Sequence, residues 1–170
     1  MNDTIKLLNA IRKGYVNPTK TDEKVFVNVI KAIFRSVSDY KKVLYVSKKA
    51  LEKAKSLNIN LAEINWHTQS KVDKGRKIFH YEHCNPIKQL RLAVLYSNEK
   101  IEKILDKDIT CWILKSENDI LNKKYKDNRP GGWKKCYKEC GIEILKNTKK
   151  LYADYIKEEN YAKIKKVVKK

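Results

Sequence analysis

The run Phe79-His80-Tyr81-Glu82-His83-Cys84-Asn85-Pro86 sets a carboxylate beside an imidazole at the end of an expected strand. Glu82 offers a hard oxygen ligand for a divalent cation, and a histidine such as His83 is a base that can be neutral near pH 7. Lys and Arg number 39 against 20 acidic residues in a chain of 170, a formal net charge of +19. A polyanion is therefore the expected partner. Metal-assisted hydrolysis of phosphodiesters is the chemistry that this pair and this charge would perform together.

Neighbours on a strand point to opposite faces, so a bulge or the strand end must re-aim one of the two if both serve one site. Pro86, close behind, fits such an ending. Residues 76–83 alternate in strand fashion, as do residues 62–68, and Asp73-Lys74-Gly75 between them signals a turn. The three segments predict a β-hairpin. Asn85 and Pro86 fit the cap and first position of a helix carrying Ile87, Leu90, Ala93 and Val94. Ser97 restarts a second helix through Ile101, Ile104 and Leu105, and residues 109–114 read as a short buried strand. Ser116 and Asp119 fit an S-x-x-D cap for a helix over 117–124. Residues 127–132 form a loop, and 133–140 one or two helical turns ended by Gly141.

Upstream, helices are expected near 3–14, 22–36 and 48–57, with Val43 to Val46 a short strand or a buried helical turn. The last stretch, 143–170, predicts a helix with Ile144, Leu151, Tyr155 and Ile156 facing inward and a Lys-rich end. The sum is one domain of mixed α+β class, mainly helical, with a small hairpin-plus-helix core. It divides into a helical N-terminal part (1–60), the core (61–142), and a C-terminal helix and basic tail (143–170).

The hydrophobic share of 42% with 35% charge fits a folded domain rather than a disordered chain. The start Met1-Asn2-Asp3-Thr4 is polar, and no apolar run is long enough to span a bilayer. An intracellular protein with reduced thiols and no membrane partner is the expectation. Cys84, Cys111, Cys136 and Cys140 then read as buried thiols rather than a structural Zn²⁺ site, since only one C-x₃-C pair is present. Arginine occurs only at 12, 35, 76, 91 and 129, so each is a better candidate for a specific phosphate contact than any single lysine.

Glu82-His83-Cys84-Asn85-Pro86 is similar to the acid-His-x-x-Pro start of the HNH motif. The segment from Trp112 through Glu117-Asn118 to Leu121 resembles its strand-to-helix half, and Arg129-Pro130-Gly131-Gly132-Trp133 matches the R-P-x-x-W loop of phage-type HNH proteins. Residues 62–142 thus resemble the His-Me finger (HNH, ββα-metal) nucleases. The resemblance implies a metal-dependent endonuclease acting on DNA in phage biology or restriction, with one Mg²⁺ or Mn²⁺. It implies His83 as general base, Glu82 as metal ligand and Asn118 as the helix-borne ligand. Glu117 is the alternative ligand, which would leave Asn118 to orient His83 or cap the helix.

Arg129 is expected to stabilise the transition state, with His80 and Asn122 as accessory residues. Arg76, Lys115, Lys123, Lys124, Lys134 and Lys135 are expected to contact the nucleic-acid backbone, in a monomer or a homodimer. A half-buried, hydrogen-bonded imidazole accounts for His67. Two other readings use the same charge: a non-catalytic basic nucleic-acid-binding protein, and a toxin-type RNase.

Overall fold

A computed structural model describes residues 2–155. Its fold is α+β, with helices dominating and a four-stranded sheet ordered β2-β3-β1-β4. The first helices, α1 (Asn2–Gly14) and α2 (Lys20–Ser38), open the chain. Thr19 caps α2: its hydroxyl accepts from the Asp22 amide at 3.2 Å, and the Asp22 carboxylate accepts from the Thr19 amide at 3.1 Å. This reciprocal pair starts the helix earlier than its apolar spacing alone suggests. β1 (Tyr45–Ser47) follows, and the Ser47 hydroxyl caps α3 (Lys48–Ser56) by accepting from the Ala50 amide.

The hairpin expected over 62–83 does not form. Its first half is a 3-10 turn and the short helix α4 (Trp66–Gln69). The Asn65 side chain accepts from the Thr68 amide while Thr68 Oγ1 accepts from the Asn65 amide, both at 3.0 Å. That local capping overrides the alternating pattern. The turn at 73–75 is real, and buried Asp73 organises it. Its carboxylate collects the amides of Lys77, Ile78 and Phe79, which aims the chain into β2 (Phe79–His83).

β2 pairs antiparallel with β3 (Thr110–Leu114), its partner from far along the chain, in an unbroken register from Phe79↔Leu114 to His83↔Thr110. Between them lie α5 (Ile87–Tyr96) and α6 (Ile101–Asp106). Pro86, rather than Asn85, occupies the cap of α5, and the Asn85 side-chain Nδ2 donates to the Lys107 carbonyl instead. Ser97 ends α5 and does not start α6. Arg12 binds the carbonyls of Ala93, Val94 and Glu99, tying α1 to the end of α5.

After β3, α7 (Lys115–Tyr125) packs across β2 and β3, and α8 (Trp133–Glu139) follows the 127–132 loop. Gly131 and Gly132 both have positive φ (72° and 93°), which turns this loop into α8. The helix expected over 143–170 is instead β4 (Ile144–Lys146), antiparallel to β1, and then a 3-10 segment at Lys149–Tyr155. Ile144 and Leu151 do pack against the core, joined by Tyr152, while the Tyr155 side chain, Ile156 and the Lys-rich end lie outside the described residues.

The sheet is covered on both faces, as the nearly wholly buried strand β3 requires. Phe79, Tyr81, Val46 and Trp112 pack on α3, Leu61 and Tyr152, whereas Cys111 and Ile113 pack on Leu121, Trp133 and Tyr137. A separate cluster joins α1, α2, α5 and α6 through Leu8, Ile30, Phe34, Val94 and Ile104. No described helix is long and apolar enough to cross a membrane.

Glu117 is part of this framework and not of a metal site. It is buried, accepting from the Ser47 hydroxyl at 2.5 Å and from the Leu114 amide at 2.9 Å. It therefore caps its own helix, in place of Ser116, and locks α7 to β1. Glu117→Ala strands both donors and should cost about 1.5–3 kcal/mol, seen as a lower urea midpoint. A midpoint equal to that of the unaltered chain would show the contact to be idle.

Candidate active site

β2 is an edge strand, and the cleft of about 740 Å³ beside it is walled by α2, the start of α5, the end of α7 and the 127–129 loop. His80, Glu82 and His83 all line it. The ladder holds no bulge, so Glu82 and His83 keep opposite faces of the strand. They meet in one site because the cleft wraps the free edge. Edge placement does what a bulge was expected to do.

On the His83 side, Nδ1 lies 3.0 Å from Oδ1 of Asp108, whose carboxylate is fully buried. The other oxygen of Asp108 accepts from the Ser38 hydroxyl, and Lys41 Nζ stands 3.7 Å away. Burial pushes the Asp108 carboxyl up, but the hydrogen bonds from His83 and Ser38 and the charge of Lys41 outweigh it. Asp108 is accordingly held below the usual carboxylate range. An ionised Asp108 accepts the Nδ1 proton and leaves Nε2 of His83 as the nitrogen able to take another. The Tyr81 hydroxyl donates to the Ser38 carbonyl, 2.5 Å away, and so steadies the residue that steadies Asp108.

On the other face, Glu82 Oε1 is 2.7 Å from Arg129 Nη2, and Oε2 is 3.2 Å from His80 Nε2. Arg129 is buried, and its Nη1 donates to the carbonyls of Lys126 and Asn128. Both of its terminal nitrogens are engaged by the loop carbonyls and Glu82, which makes it a positioning residue for that carboxylate. The spacing of Glu82 Oε2 and His80 Nε2 suits an ion pair. It also suits two adjacent ligands of one octahedral ion, which sit about 3 Å apart when metal–oxygen bonds are about 2.1 Å. Mg²⁺ and Mn²⁺ need few protein ligands, because water and substrate phosphate fill the rest. Glu82 and His80 are the two side chains of the cleft that could hold such an ion, and among the described residues no group of three or more His, Cys, Asp or Glu side chains is gathered for a metal.

The helix residue expected at the site does not reach the cleft. α7 starts beside Phe79, at the end of β2 far from Glu82, since Leu114 pairs with Phe79. Asn118 does not line the cleft, whereas Asn122 and Lys126, further along the same i, i+4 stripe, do.

The residues expected to contact a nucleic-acid backbone lie outside the cleft lining. Arg76 stacks on the Trp66 ring at 3.7 Å and donates to the Trp66 carbonyl. Lys124 and Lys135 pair with Glu139, Lys134 lies over Trp133, and Lys115 and Lys123 are exposed; none of these lines the cleft. The cleft cations are instead Lys31, Arg35, Lys88, Arg91, Lys126 and Arg129, facing the carboxylates of Asp39, Glu82 and Asp127. Three of the five arginines are among them. The i, i+4 spacing of Lys31 and Arg35 on α2 was the available signal for this wall. Arg91 and Arg129 each keep a buried Nε–H without a protein acceptor.

Cys84, Cys111, Cys136 and Cys140 are free thiols, all but Cys140 buried. His67 is exposed and stacks on Tyr40. No family model, curated protein or solved structure matches this chain.

The Asp108 environment has a measurable signature. A carboxyl ionised more readily in the folded chain gives stability that is complete above its unfolded pKa and is lost as pH falls through the folded one. Asp108→Asn should therefore flatten the fall in melting temperature below about pH 4. Identical acid limbs in the two proteins would show that Asp108 is not held ionised by its partners.

Proposed function

We propose that this chain is a metal-dependent endonuclease of HNH type that hydrolyses phosphodiester bonds, with DNA as its substrate. The observation that carries the reading is the His83–Asp108 pair, opening on a cation-rich cleft that also presents Glu82 and His80. A polyanion would enter along Lys31, Arg35, Lys88, Arg91 and Lys126, whose charge offsets that of the phosphates. The order of strand, antiparallel strand and packed helix supports the likeness to the ββα nucleases, although α5 and α6 intervene and Asn122 replaces Asn118 as the helix residue at the cleft.

Asp108 holds the His83 ring so that Nε2 accepts a proton from the attacking water. The new bond forms between that oxygen and phosphorus as the bond to the leaving sugar oxygen breaks. Glu82 and His80, with Asn122 near them, would hold the divalent ion, and Arg129 keeps the Glu82 carboxylate turned toward His80. When bound, the ion neutralises charge building on the phosphate and the leaving oxygen.

Supercoiled plasmid incubated with the protein and Mg²⁺, Mn²⁺ or EDTA tests the reading. His83→Ala should slow cleavage about 10²–10⁴-fold with DNA affinity nearly unchanged. It should also lower the melting temperature, because buried Asp108 loses a partner, so cleavage is compared at a temperature where the variant remains folded. Glu82→Gln should raise the Mg²⁺ or Mn²⁺ concentration needed for half-maximal cleavage while leaving affinity for DNA nearly intact. Plasmid and single-stranded DNA both left intact with every ion, beside tight salt-sensitive binding, would overturn hydrolysis in favour of a binding protein. Cleavage of RNA alone would move the substrate to that of a toxin-type RNase.

A further inference from the structure

The cleft does not end at α2. A second groove of about 500 Å³ adjoins the same helix, and Lys31, Arg35 and Asp39 line both. The two depressions therefore share one cationic stretch of α2. The second ends on Tyr40, which is 72% exposed and stacks on His67 with ring centroids 4.4 Å apart at 33°. His67 in turn meets Trp66 edge-on at 5.2 Å, and Trp66 is itself a wall of the main cleft, backed by Arg76 at 3.7 Å. A chain of aromatic rings thus runs beside the pair of cations from the candidate site out to solvent.

An exposed ring supported from behind by an imidazole and flanked by cations has the makings of a base-stacking platform. We infer that this groove takes an unpaired nucleotide flanking the cleaved bond, its phosphate between Lys31 and Arg35 and its base on the free face of Tyr40. Asp39 faces the same path, and its carboxyl is raised by burial against the opposing pull of His67, His83 and Arg35. The two cations outnumber it along the groove. A base within a continuous duplex is stacked on both sides and has no face to offer Tyr40. The preferred substrate is accordingly single-stranded, or unpaired beside the cut.

This inference rests on the phosphodiesterase reading for its orientation, yet binding tests it without cleavage. The full chain carrying His83→Ala is titrated with a short single-stranded DNA containing 2-aminopurine and with a blunt duplex of the same sequence. Single-strand binding should be the tighter and should quench the 2-aminopurine. Adding Tyr40→Ala should weaken it about 5–150-fold and remove the quench, while Tyr40→Phe keeps both, as stacking worth about 1–3 kcal/mol per base requires. Duplex affinity should hardly change. Equal losses on both DNAs, or no loss on either, would overturn the platform. Failure of the otherwise unaltered chain to cut any DNA would instead sink hydrolysis and leave the binding difference standing.

Discussion

The register between β2 and β3 is the constraint on which the rest of the site depends. With His83 opposite Thr110, the residue two places before Thr110 falls diagonally across from His83 on the same face, and that residue is Asp108. A slip of one residue would turn His83 toward the α7 side and leave Asp108 buried with no imidazole. The opposite face obeys the same register. Glu82 stands across from Cys111 and is thereby aimed at the side covered by α7 and the Arg129 loop. Phe79, Tyr81, Trp112 and Ile113 lock the pairing, because any other register would bring polar residues into both cores.

The Arg129–Glu82 pair is better understood as orientation than as stability. Removing two charges from water costs several kcal/mol each, and their attraction seldom returns much more than that. Hydrophobic residues of the same size would hold the loop at least as well. What the pair does supply is a carboxylate with one oxygen fixed, so that its other oxygen points to His80. Asp108 is treated in the same way, with Ser38, Lys41 and Tyr81 behind it. Both acids are bound at the back and leave a histidine forward in the cleft.

Much of this was legible in the sequence where the signal was local. Glu82-His83 at a strand end, the 109–114 strand, the loop at 127–132, Gly141 after α8 and the buried thiols all follow from residue types and spacing. The failures came from competition between local signals or from distance. Alternation over 62–68 lost to the Asn65–Thr68 capping pair, and the apolar spacing after 143 belonged to β4 and a 3-10 segment. Glu117 looked like a ligand because its role depends on Ser47, seventy residues away. Asp108 carried no local mark, since its meaning comes only from a register that the chain does not declare. The cationic wall of α2 lay outside the segment that resembled a nuclease, although its spacing was plain.

The sheet order has a consequence for how the chain comes to be folded. β1 lies in the middle, parallel to β3 and antiparallel to β4, so it leaves the ribosome long before either neighbour exists. Until residue 112 has been made, its backbone donors and acceptors have no strand to meet. The helices α1 and α2 also wait, for α5 and α6, before Ile30 and Phe34 are covered. At about 5–20 residues per second of synthesis, the nascent chain spends seconds with an unpaired strand and open apolar helix faces. Long-range pairing of this kind is slow to nucleate once the chain is complete. The clasp comes last: Asn147 donates to the carbonyls of Val43 and Leu61 and accepts from Tyr152, joining the two ends of the ladder's history in one side chain.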